Sequence, residues 1–276
     1  MHKYLWAILL LLTFLSCRDN KPTDHPLQFG NEPYDSAALH IALIPNRDCL
    51  PIYYASRTGL FDSLGVKVQI ASYPSQMDCD TALLSRLTDG GYADLIRLKQ
   101  YGKQAADLQT KWSGTNRWEL FVCGTLRVKD TKSLKGRTVA VARESAEYTY
   151  LQQLLSEAGI PFTDVYKPQI NSLPLRAKML SGNQIDASVL CWPHTSMARA
   201  FGHRRIAGQS SADIHGAFVV RNNQYASAQL KQKWTLFEKG RRMAQDSLRL
   251  KGPQAYTLIL QKDYGLPQAV ADTVKY

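Results

Sequence analysis

The sequence predicts a mixed α/β fold with two lobes, each a mainly parallel sheet flanked by helices. Short apolar runs alternate with amphipathic segments from residue 40 onward, which is typical of βαβ units. The alternation occurs twice, and two further apolar strands are placed to cross between the runs. A chain that crosses twice between lobes suits a hinge.

The first run begins with HIALIP and contains three predicted strands and two predicted helices. The strands are predicted at residues 40–45, 66–72 and 93–98, and the helices at residues 51–61 and 80–87. The first βα junction holds Asn46, Arg47 and Asp48 between two prolines. This junction is either a surface turn or one wall of a ligand cleft.

The second run repeats this architecture. Its strands are predicted at residues 138–143, 164–168 and 187–192, with a helix at residues 173–180. Another helix follows the first of these strands and places Tyr148, Leu151, Leu155 and Ala158 on one face. In both runs a helix closing on Gly precedes an Asp beside or inside a buried strand, as in TDGGYADLIRL and SGNQIDASVLC.

Two apolar segments connect the runs. The strand at residues 118–128 leaves the first lobe, and the strand at residues 215–222 could return to it. A helical stripe then follows, formed by Leu230, Trp234, Phe237, Ala244 and Leu248. We expect this terminal helix and residues 253–275 to pack on the first lobe.

The N-terminus has the pattern of a secretory signal. Two basic residues precede an apolar run from Tyr4 to Leu15, which is shorter than the roughly 20 residues of a membrane-spanning helix. TFLSC resembles the lipobox of bacterial lipoproteins, in which the signal is cut before an acylated cysteine. We therefore expect a signal peptide at residues 1–16, lipidation of Cys17 and a flexible tether at residues 17–38. A plain cleaved signal and an uncleaved anchor are the alternatives.

The composition indicates a soluble mature chain with a basic surface. The chain of 276 residues is 45% apolar and has a formal net charge of +11. Much of the surplus lies at residues 231–251, where a solvated helix face is the first interpretation and contact with a membrane or a protein the second. An exported protein meets little nucleic acid, so we expect no nucleic-acid partner. We also expect a monomer.

The cysteines after Cys17 lack the spacing of metal or redox motifs, so we predict no metal and no cofactor. An oxidising compartment permits a disulfide. Cys49 and Cys79 are the expected pair, because each follows a strand that should neighbour the other. Cys123 and Cys191 lie in apolar strands and are expected to be buried.

A ligand site is expected beyond the carboxyl ends of the parallel strands, where loops enter helices. The predicted ligand-binding residues are Asn46, Arg47, Asp48, Tyr53, Ser75, Gln76, Met77 and Arg97 in the first lobe and Glu144, Ser145, Ala146, Tyr148, Asn171, Trp192 and His194 in the second. Each has a structural alternative, such as capping of a helix for Asp48 and Ser145 and filling of the hinge for Trp192.

The charges near Ser145 bear on the solute. A helix N-terminus there favours an anion by up to about 1 kcal/mol. Glu144 and Glu147 flank it and oppose an anion by a comparable amount. Tyr148 and Trp192, with Tyr53 or Tyr54, offer a stacking or cation–π surface. We therefore expect a planar, polar solute, nitrogen-containing or zwitterionic, in preference to nitrate or a sulfonate.

Three blocks of the chain resemble a known family. IALIPNRDCLPIYYASRTGLFDSLGVKVQI, LKGRTVAVARESAEYTYLQQLLSEAGI and LSGNQIDASVLCWPHTSMA are similar to solute-binding proteins of ABC importers that handle nitrate, alkanesulfonates and thiamine-pyrimidine precursors. The resemblance covers roughly residues 39–220 and implies a type II periplasmic binding protein fold that closes on a small solute. Arg97, Leu98 and Lys99 depart from the small residues usual in the family.

The resemblance implies a solute-binding lipoprotein rather than an enzyme. We expect it at the cell envelope, facing the periplasm, anchored to the membrane by lipid at Cys17 and delivering solute to an ABC permease. The first lobe is predicted at residues 39–124 and 216–276, and the second at residues 125–215. Two alternatives stay open: an enzyme of the same fold, similar to pyrimidine synthases or menaquinone-pathway enzymes, and a lipoprotein that keeps the lobes as an interaction or sensory module.

Overall fold

Two β-sheets with flanking helices form the framework of the protein. The structure is a computed structural model that describes residues 28–209 and 215–276. The predicted signal peptide, Cys17 and residues 17–27 of the predicted tether lie outside the described residues. We refer to each sheet with its helices as a lobe.

The first sheet has five strands in the order β4-β3-β5-β11-β6. Its strands are β3 (Leu39–Leu43), β4 (Val68–Ser72), β5 (Gly90–Asp94), β6 (Leu108–Ser113) and β11 (Gly216–Arg221). β3 is parallel to β4 and β5, as a βαβαβ run requires, whereas β11 is antiparallel to β5 and β6.

The second sheet has four strands in the order β10-β7-β9-β8. They are β7 (Trp118–Val122), β8 (Val139–Ala140), β9 (Ala187–Cys191) and β10 (Arg204–Gly208). β8 and β9 are parallel, whereas β7 is antiparallel to β9 and β10. Parallel pairing therefore occurs within the βαβ runs, and antiparallel pairing occurs where the chain crosses between lobes.

Local sequence signals account for the longer helices. The helices are α1 (Leu50–Arg57), α2 (Leu60–Ser63), α3 (Gln76–Leu84), α4 (Leu95–Tyr101), α5 (Ala146–Glu157), α6 (Leu173–Ser181), α7 (His194–Ala200), α8 (Ala228–Leu250), α9 (Thr257–Lys262) and α10 (Gln268–Ala271). Serine side chains accept backbone N–H groups at the starts of α3, α5, α6 and α8. The predicted helix at residues 51–61 is two helices, because Gly59 adopts a left-handed conformation with φ 68°.

The predicted strand at residues 93–98 is wrong beyond Asp94. The Asp94 carboxylate accepts a hydrogen bond of 2.8 Å from the N–H of Ile96, so a helix begins at Leu95. The predicted strand at residues 164–168 is not a regular strand. Tyr166 forms an isolated β-bridge, and Gln169, just beyond this range, forms another. Strands β6 and β10 and helix α7 had no counterpart in the sequence prediction.

The crossing strand differs from its predicted place. Trp118–Val122 pairs with β9 and β10 in the second sheet, whereas the predicted boundaries put it in the first lobe. The return strand β11 joins the first sheet as expected. The division into lobes at particular residues stays a proposal.

The tether predicted at residues 17–38 is wrong for residues 28–38. There, β1 (Gln28–Phe29) and β2 (Glu32–Pro33) form an antiparallel ribbon. Phe29 is buried against the ring of His40, with 4.9 Å between ring centroids, and Tyr34 stacks on the same ring. This aromatic packing fixes the ribbon to the first lobe.

Helix α8 packs on the first lobe. Phe237 stacks on Phe61 with 5.2 Å between ring centroids, and Trp234 and Phe218 extend the cluster. The close approach depends on Gly240, where a Cβ atom would lie 2.8 Å from Phe61 Cδ1. The chain beyond α8 also reaches the second lobe, because the Tyr264 carbonyl contacts His194 Nε2 at 3.0 Å.

The expected disulfide is wrong in this structure. Cys49 and Cys79 are free, buried thiols of the first lobe. The Cys79 Sγ instead contacts the Tyr92 carbonyl at 3.3 Å. Cys123 and Cys191 are free and buried, as predicted from their apolar strands. All four cysteines of the described residues therefore serve as packing residues.

Candidate functional site

A cavity of about 40 Å³ lies between the two sheets, and we call it the central cavity. It lies at the carboxyl ends of the parallel strands, where Ile44 follows β3, Pro74 follows β4 and Asp94 ends β5. Its polar lining comes from both lobes and from the segment between β6 and β7: Gln76, Tyr92, Asp94, Asn116, Glu147 and Arg176. This is the position at which open parallel sheets bind ligands.

Arg176 and Glu147 form a buried ion pair in the wall of the central cavity. Arg176 Nη2 lies 2.5 Å from Glu147 Oε2, and the other oxygen of Glu147 accepts the N–H of Ala142 at 2.7 Å. Arg176 Nη1 donates to the Ile170 carbonyl at 2.7 Å. Burial raises the pKa of Glu147, against the opposing effect of the Arg176 charge.

Two buried polar atoms of the cavity wall have no hydrogen-bond partner within the described part of the chain. They are Arg176 Nε, a donor, and Asn116 Oδ1, an acceptor. An unpaired buried polar group costs about 1–3 kcal/mol, so native proteins keep few of them. Their residues line the cavity, and the partners that the two atoms lack are an acceptor for Arg176 Nε and a donor for Asn116 Oδ1.

Asp48 positions Asn116 from the first lobe. Its carboxylate accepts hydrogen bonds from the backbone N–H groups of Thr115 at 2.8 Å and Asn116 at 3.0 Å. The Tyr92 hydroxyl donates to the same carboxylate at 2.8 Å. Asp48 therefore acts on the cavity through the segment that carries Asn116, and it does not line the cavity itself.

The carboxylate of Asp94 accepts hydrogen bonds from both lobes. Its Oδ2 accepts a hydrogen bond of 2.7 Å from the backbone N–H of Ala146, the first residue of α5 in the second lobe. Its Oδ1 caps α4 in the first lobe. Burial raises the pKa of Asp94, against the opposing effect of the backbone N–H groups that it accepts.

Further contacts between the lobes close the central cavity. Arg97 Nη1 donates to the Arg143 carbonyl at 3.2 Å, and Gln100 Nε2 donates to the Glu144 carbonyl at 3.3 Å. On the other side, the Leu173 N–H donates to the Pro74 carbonyl at 3.0 Å. The lobes therefore lie against each other on both sides of the cavity.

Four of the predicted site residues line the central cavity: Gln76, Ser145, Ala146 and Asn171. Ser145 also caps α5 by accepting the N–H of Tyr148 at 3.2 Å, so it lines the cavity and has the structural role that the sequence left open. Met77 lies at the rim, where its Sδ is 3.6 Å from Asn171 Nδ2. Their contact with a solute stays a prediction.

The other predicted site residues have protein partners. Asn46 Oδ1 accepts the N–H of Cys49, and Ser75 Oγ accepts the N–H of Asp78. The Tyr53 hydroxyl contacts Ser72 Oγ, and the Tyr148 ring packs on Phe162. Glu144 is exposed, and His194 is buried beside Tyr264. Apart from Glu144, these side chains therefore have structural contacts, and none of the six residues lines the central cavity.

Arg97 pairs inside its own lobe. Its Nε lies 2.6 Å from Asp80 Oδ2, and its Nη2 donates to the Tyr101 hydroxyl. Burial raises the pKa of Asp80 to about 6, although the Arg97 charge opposes the shift. Arg97 was predicted near the carboxyl end of the strand at residues 93–98, but it lies on α4 because that helix begins at Leu95.

Arg47 and Trp192 line a second groove, which we call the hinge groove. Its other lining residues include Asn116, Arg117, Glu119 and Arg199. The Arg47 guanidinium lies 5.7 Å from the Trp192 ring centroid, and Trp192 Nε1 donates to the Lys275 carbonyl at 3.1 Å. Trp192 therefore has structural contacts in this groove, and its contact with a solute stays a prediction.

Sequence reasoning missed Tyr92, Asp94, Asn116 and Arg176. Asp94 carried a signal, since an Asp directly before a short apolar helix is a common N-cap. Asn116 lies in the segment between two strands, and Arg176 lies within a helix, away from the strand ends where the site was expected. Only the tertiary arrangement brings them together.

Two searches of the described residues gave negative findings. Within residues 28–209 and 215–276, no group of three or more His, Cys, Asp or Glu side chains is arranged to hold a metal ion. Over the same residues, no helix is long and apolar enough to cross a membrane.

The sequence is similar to a known protein family and to one of its relatives. A family model described as "NMT1/THI5 like" matches residues 46–225. A putative aliphatic sulfonates-binding protein of Escherichia coli K12 is 30% identical over 101 residues, which is 36% of this chain and 31% of the relative. The match thus spans about a third of that relative's length.

Several solved structures share the fold. The alkanesulfonate-binding protein SsuA from Xanthomonas axonopodis pv. citri, bound to MOPS, has a TM-score of 0.69 at 19% identity over 87% of this chain and 83% of that one. The periplasmic aliphatic sulphonate-binding protein SsuA from Escherichia coli has a TM-score of 0.64 at 20% identity over 86% and 81%. The periplasmic nitrate-binding protein NrtA from Synechocystis PCC 6803 has a TM-score of 0.68 at 13% identity over 85% and 68%.

Proposed function

Because the chain belongs to the NMT1/THI5-like family, we propose that it is a solute-binding protein of an ABC import system. It captures a small polar organic solute in the central cavity and delivers it to a membrane permease. The observation that carries this proposal is the pair of unpartnered buried atoms, Arg176 Nε and Asn116 Oδ1, in a cavity lined by both lobes.

Closure explains how binding would be signalled. A solute shifts the balance between open and closed forms only if it binds the closed form better, so it must contact both lobes. Arg176 belongs to the second lobe, and Gln76 and Tyr92 belong to the first. A solute among these side chains would bridge the lobes, and the closed form would dock to the permease.

The charges of the cavity support a neutral, cationic or zwitterionic solute. The lining of the cavity contains two carboxylates, Asp94 and Glu147, and one guanidinium, that of Arg176. The Arg176 guanidinium is already paired with Glu147. The aliphatic sulfonates-binding relative and the nitrate-binding structure bind anions by their descriptions. We propose that this protein takes a polar, nitrogen-containing solute instead.

Membrane attachment is part of the same proposal. The lipobox-like TFLSC segment supports acylation of Cys17 after removal of residues 1–16. The anchored protein would face the periplasm as a monomer and hold its solute near the permease. The curated relative and the reported neighbours are described as binding proteins, which favours binding over catalysis.

Native mass spectrometry tests the proposed binding function. The chain from residue 18 onward is purified gently, and a small molecule of defined mass is expected to remain bound. The identified molecule should then raise the melting temperature as its concentration increases. A chain that carries no molecule and is not stabilised by a broad metabolite panel contradicts the proposal, and turnover of the bound molecule indicates an enzyme.

Asn116→Ala tests whether the solute contacts Asn116, which lines both the central cavity and the hinge groove. Loss of one hydrogen bond of about 1 kcal/mol should weaken solute binding about three- to tenfold. The backbone N–H of Asn116 keeps its bond to Asp48, so the fold should be retained. Exposed Asn222 gives the matched control, because Asn222→Ala removes the same amide away from the cavity.

A further inference from the structure

The N-terminus of α5 faces the central cavity and is already occupied by a carboxylate of the opposite lobe. Ala146 begins this helix of 12 residues and lines the cavity. Its backbone N–H donates to Asp94 Oδ2 at 2.7 Å. A helix N-terminus attracts anions through its free N–H groups and its dipole.

We propose that Asp94 is a specificity determinant of the cavity: its carboxylate holds the anion position at the start of α5 and excludes anionic solutes. The proposal rests on the proposed binding function and deepens it by naming the class of solute that is rejected. Neutral, cationic or zwitterionic solutes remain, provided that their anionic group does not need this position.

Asp94 is held in place from both sides. Its Oδ1 accepts the N–H of Ile96 at 2.8 Å, while its Oδ2 is bound to Ala146. The side chain is 6% exposed, and its neighbour Arg97 is fixed by Asp80. The carboxylate therefore cannot leave the start of α5 without breaking hydrogen bonds in a buried environment.

The rest of the cavity wall does not compensate an entering anion. The Arg176 guanidinium is neutralised by Glu147 at 2.5 Å. In the first turn of α5, the backbone N–H of Tyr148 also has a side-chain partner. It donates to Ser145 Oγ at 3.2 Å. An anion near α5 would thus meet the like charge of Asp94. Burial raises the pKa of Asp94, because a buried position disfavours a negative charge.

The unpartnered atoms define what the remaining space accepts. Arg176 Nε needs an acceptor, which a carbonyl or ring nitrogen provides without a net charge. Asn116 Oδ1 needs a donor, such as an N–H or O–H group. A neutral or protonated nitrogen compound carries groups of both kinds, whereas an anion would be repelled by the Asp94 carboxylate.

Anion binding to charge variants tests Asp94. Ethanesulfonate and nitrate serve as probes, with calorimetry and melting temperature as readouts, on the wild-type chain and on Asp94→Ala and Asp94→Asn. Removing the carboxylate frees the Ala146 N–H and takes away a like charge, so Asp94→Ala should bind ethanesulfonate at least about tenfold more tightly than the wild type. Asp94→Asn keeps the shape and should show a smaller gain, which provides a second variant if Asp94→Ala folds poorly.

Asp62→Asn is the matched control. It removes a carboxylate from the exposed surface of α2 and should leave anion binding unchanged. If the wild type binds ethanesulfonate as tightly as Asp94→Ala, or if folded Asp94→Ala and Asp94→Asn gain no anion affinity, the specificity role is overturned. Neither result affects the search for a co-purified solute, so failure of the specificity role and failure of the binding function are distinguishable.

Discussion

Arg176 and Glu147 lie 2.5 Å apart, Nη2 to Oε2, with side chains that are 1% and 3% exposed. A buried pair of this kind is weak evidence for added stability, but removing one partner leaves an uncompensated buried charge. The pair also orders the wall of the central cavity, because Glu147 holds the Ala142 N–H and Arg176 holds the Ile170 carbonyl. The position of Arg176 Nε depends on these bonds.

Glu147→Ala should lower the free energy of unfolding by about 3–5 kcal/mol, because Arg176 would remain buried without its partner. Urea unfolding monitored by circular dichroism measures the loss. Asp164→Asn is the control, since it breaks the exposed pair with Lys135 at 3.1 Å and should cost at most about 1 kcal/mol. Equal losses in the two variants would show that the buried pair has no special role.

His194 should make the protein less stable in mild acid. Burial lowers the pKa of His194 to about 4, from 6.5, and its Nε2 contacts the Tyr264 carbonyl. The unfolded chain therefore binds the proton more readily than the folded chain between these two pH values. The contribution of His194 is fully present above pH 6.5 and falls by about 3 kcal/mol as the pH decreases to about 4.

His194→Gln tests this contribution, because Gln cannot take up a proton and can still donate to the Tyr264 carbonyl. Urea unfolding of both proteins at several pH values between 4 and 8 gives the difference that belongs to His194. The gap between wild type and variant should change across the window from 6.5 to 4. A constant gap would mean that His194 does not titrate differently in the folded and unfolded chain.

Local signals predicted the framework of the fold from the sequence. The strand β3, the Ser145 cap of α5 and the apolar stripe of α8 follow from periodicity and capping, which act over a few residues. Leu95–Leu98 was misassigned because a short apolar run has the same composition in a strand and in a buried helix. The Asp94 cap decides between them.

The candidate site was less predictable than the fold. The strand-end rule led to Ser145, Gln76 and Asn171, which do line the central cavity. It could not find Asn116, because Asp48 positions that residue by tertiary hydrogen bonds. Nor could it find Arg176, which lies on a helix rather than at a strand end. Arg176 lines the cavity and pairs there with Glu147.

The four cysteines after Cys17 should be free thiols that are protected by the fold. Burial raises the pKa of Cys49 and of Cys79, and it keeps them from reagents. The chain from residue 18 onward should react with Ellman's reagent only after denaturation without reductant, and then with all four thiols. Reaction of only two thiols would support a Cys49–Cys79 disulfide and contradict the structure.

Cys17→Ser should abolish membrane attachment. Acyl chains move into a detergent phase because each buried CH₂ contributes about 0.8 kcal/mol. In Triton X-114 partition of cells that express the full chain, the wild type is expected in the detergent phase and the variant in the aqueous phase. The chain from residue 18 onward is the soluble reference. A variant that stays in the detergent phase would indicate an uncleaved anchor.

Trp192→Phe distinguishes the central cavity from the hinge groove as the solute site. Trp192 lines the hinge groove, and its Nε1 donates to the Lys275 carbonyl at 3.1 Å. Phe keeps most of the ring but removes this donor, so the free energy of unfolding should fall by about 1 kcal/mol. If the solute lies in the central cavity, its dissociation constant should not change with Trp192→Phe, whereas Asn171→Ala, which alters the lining of the central cavity but not of the hinge groove, should raise it. An increase in the dissociation constant with Trp192→Phe would place the solute against Trp192 and Arg47 instead, where the sequence first predicted a stacking surface.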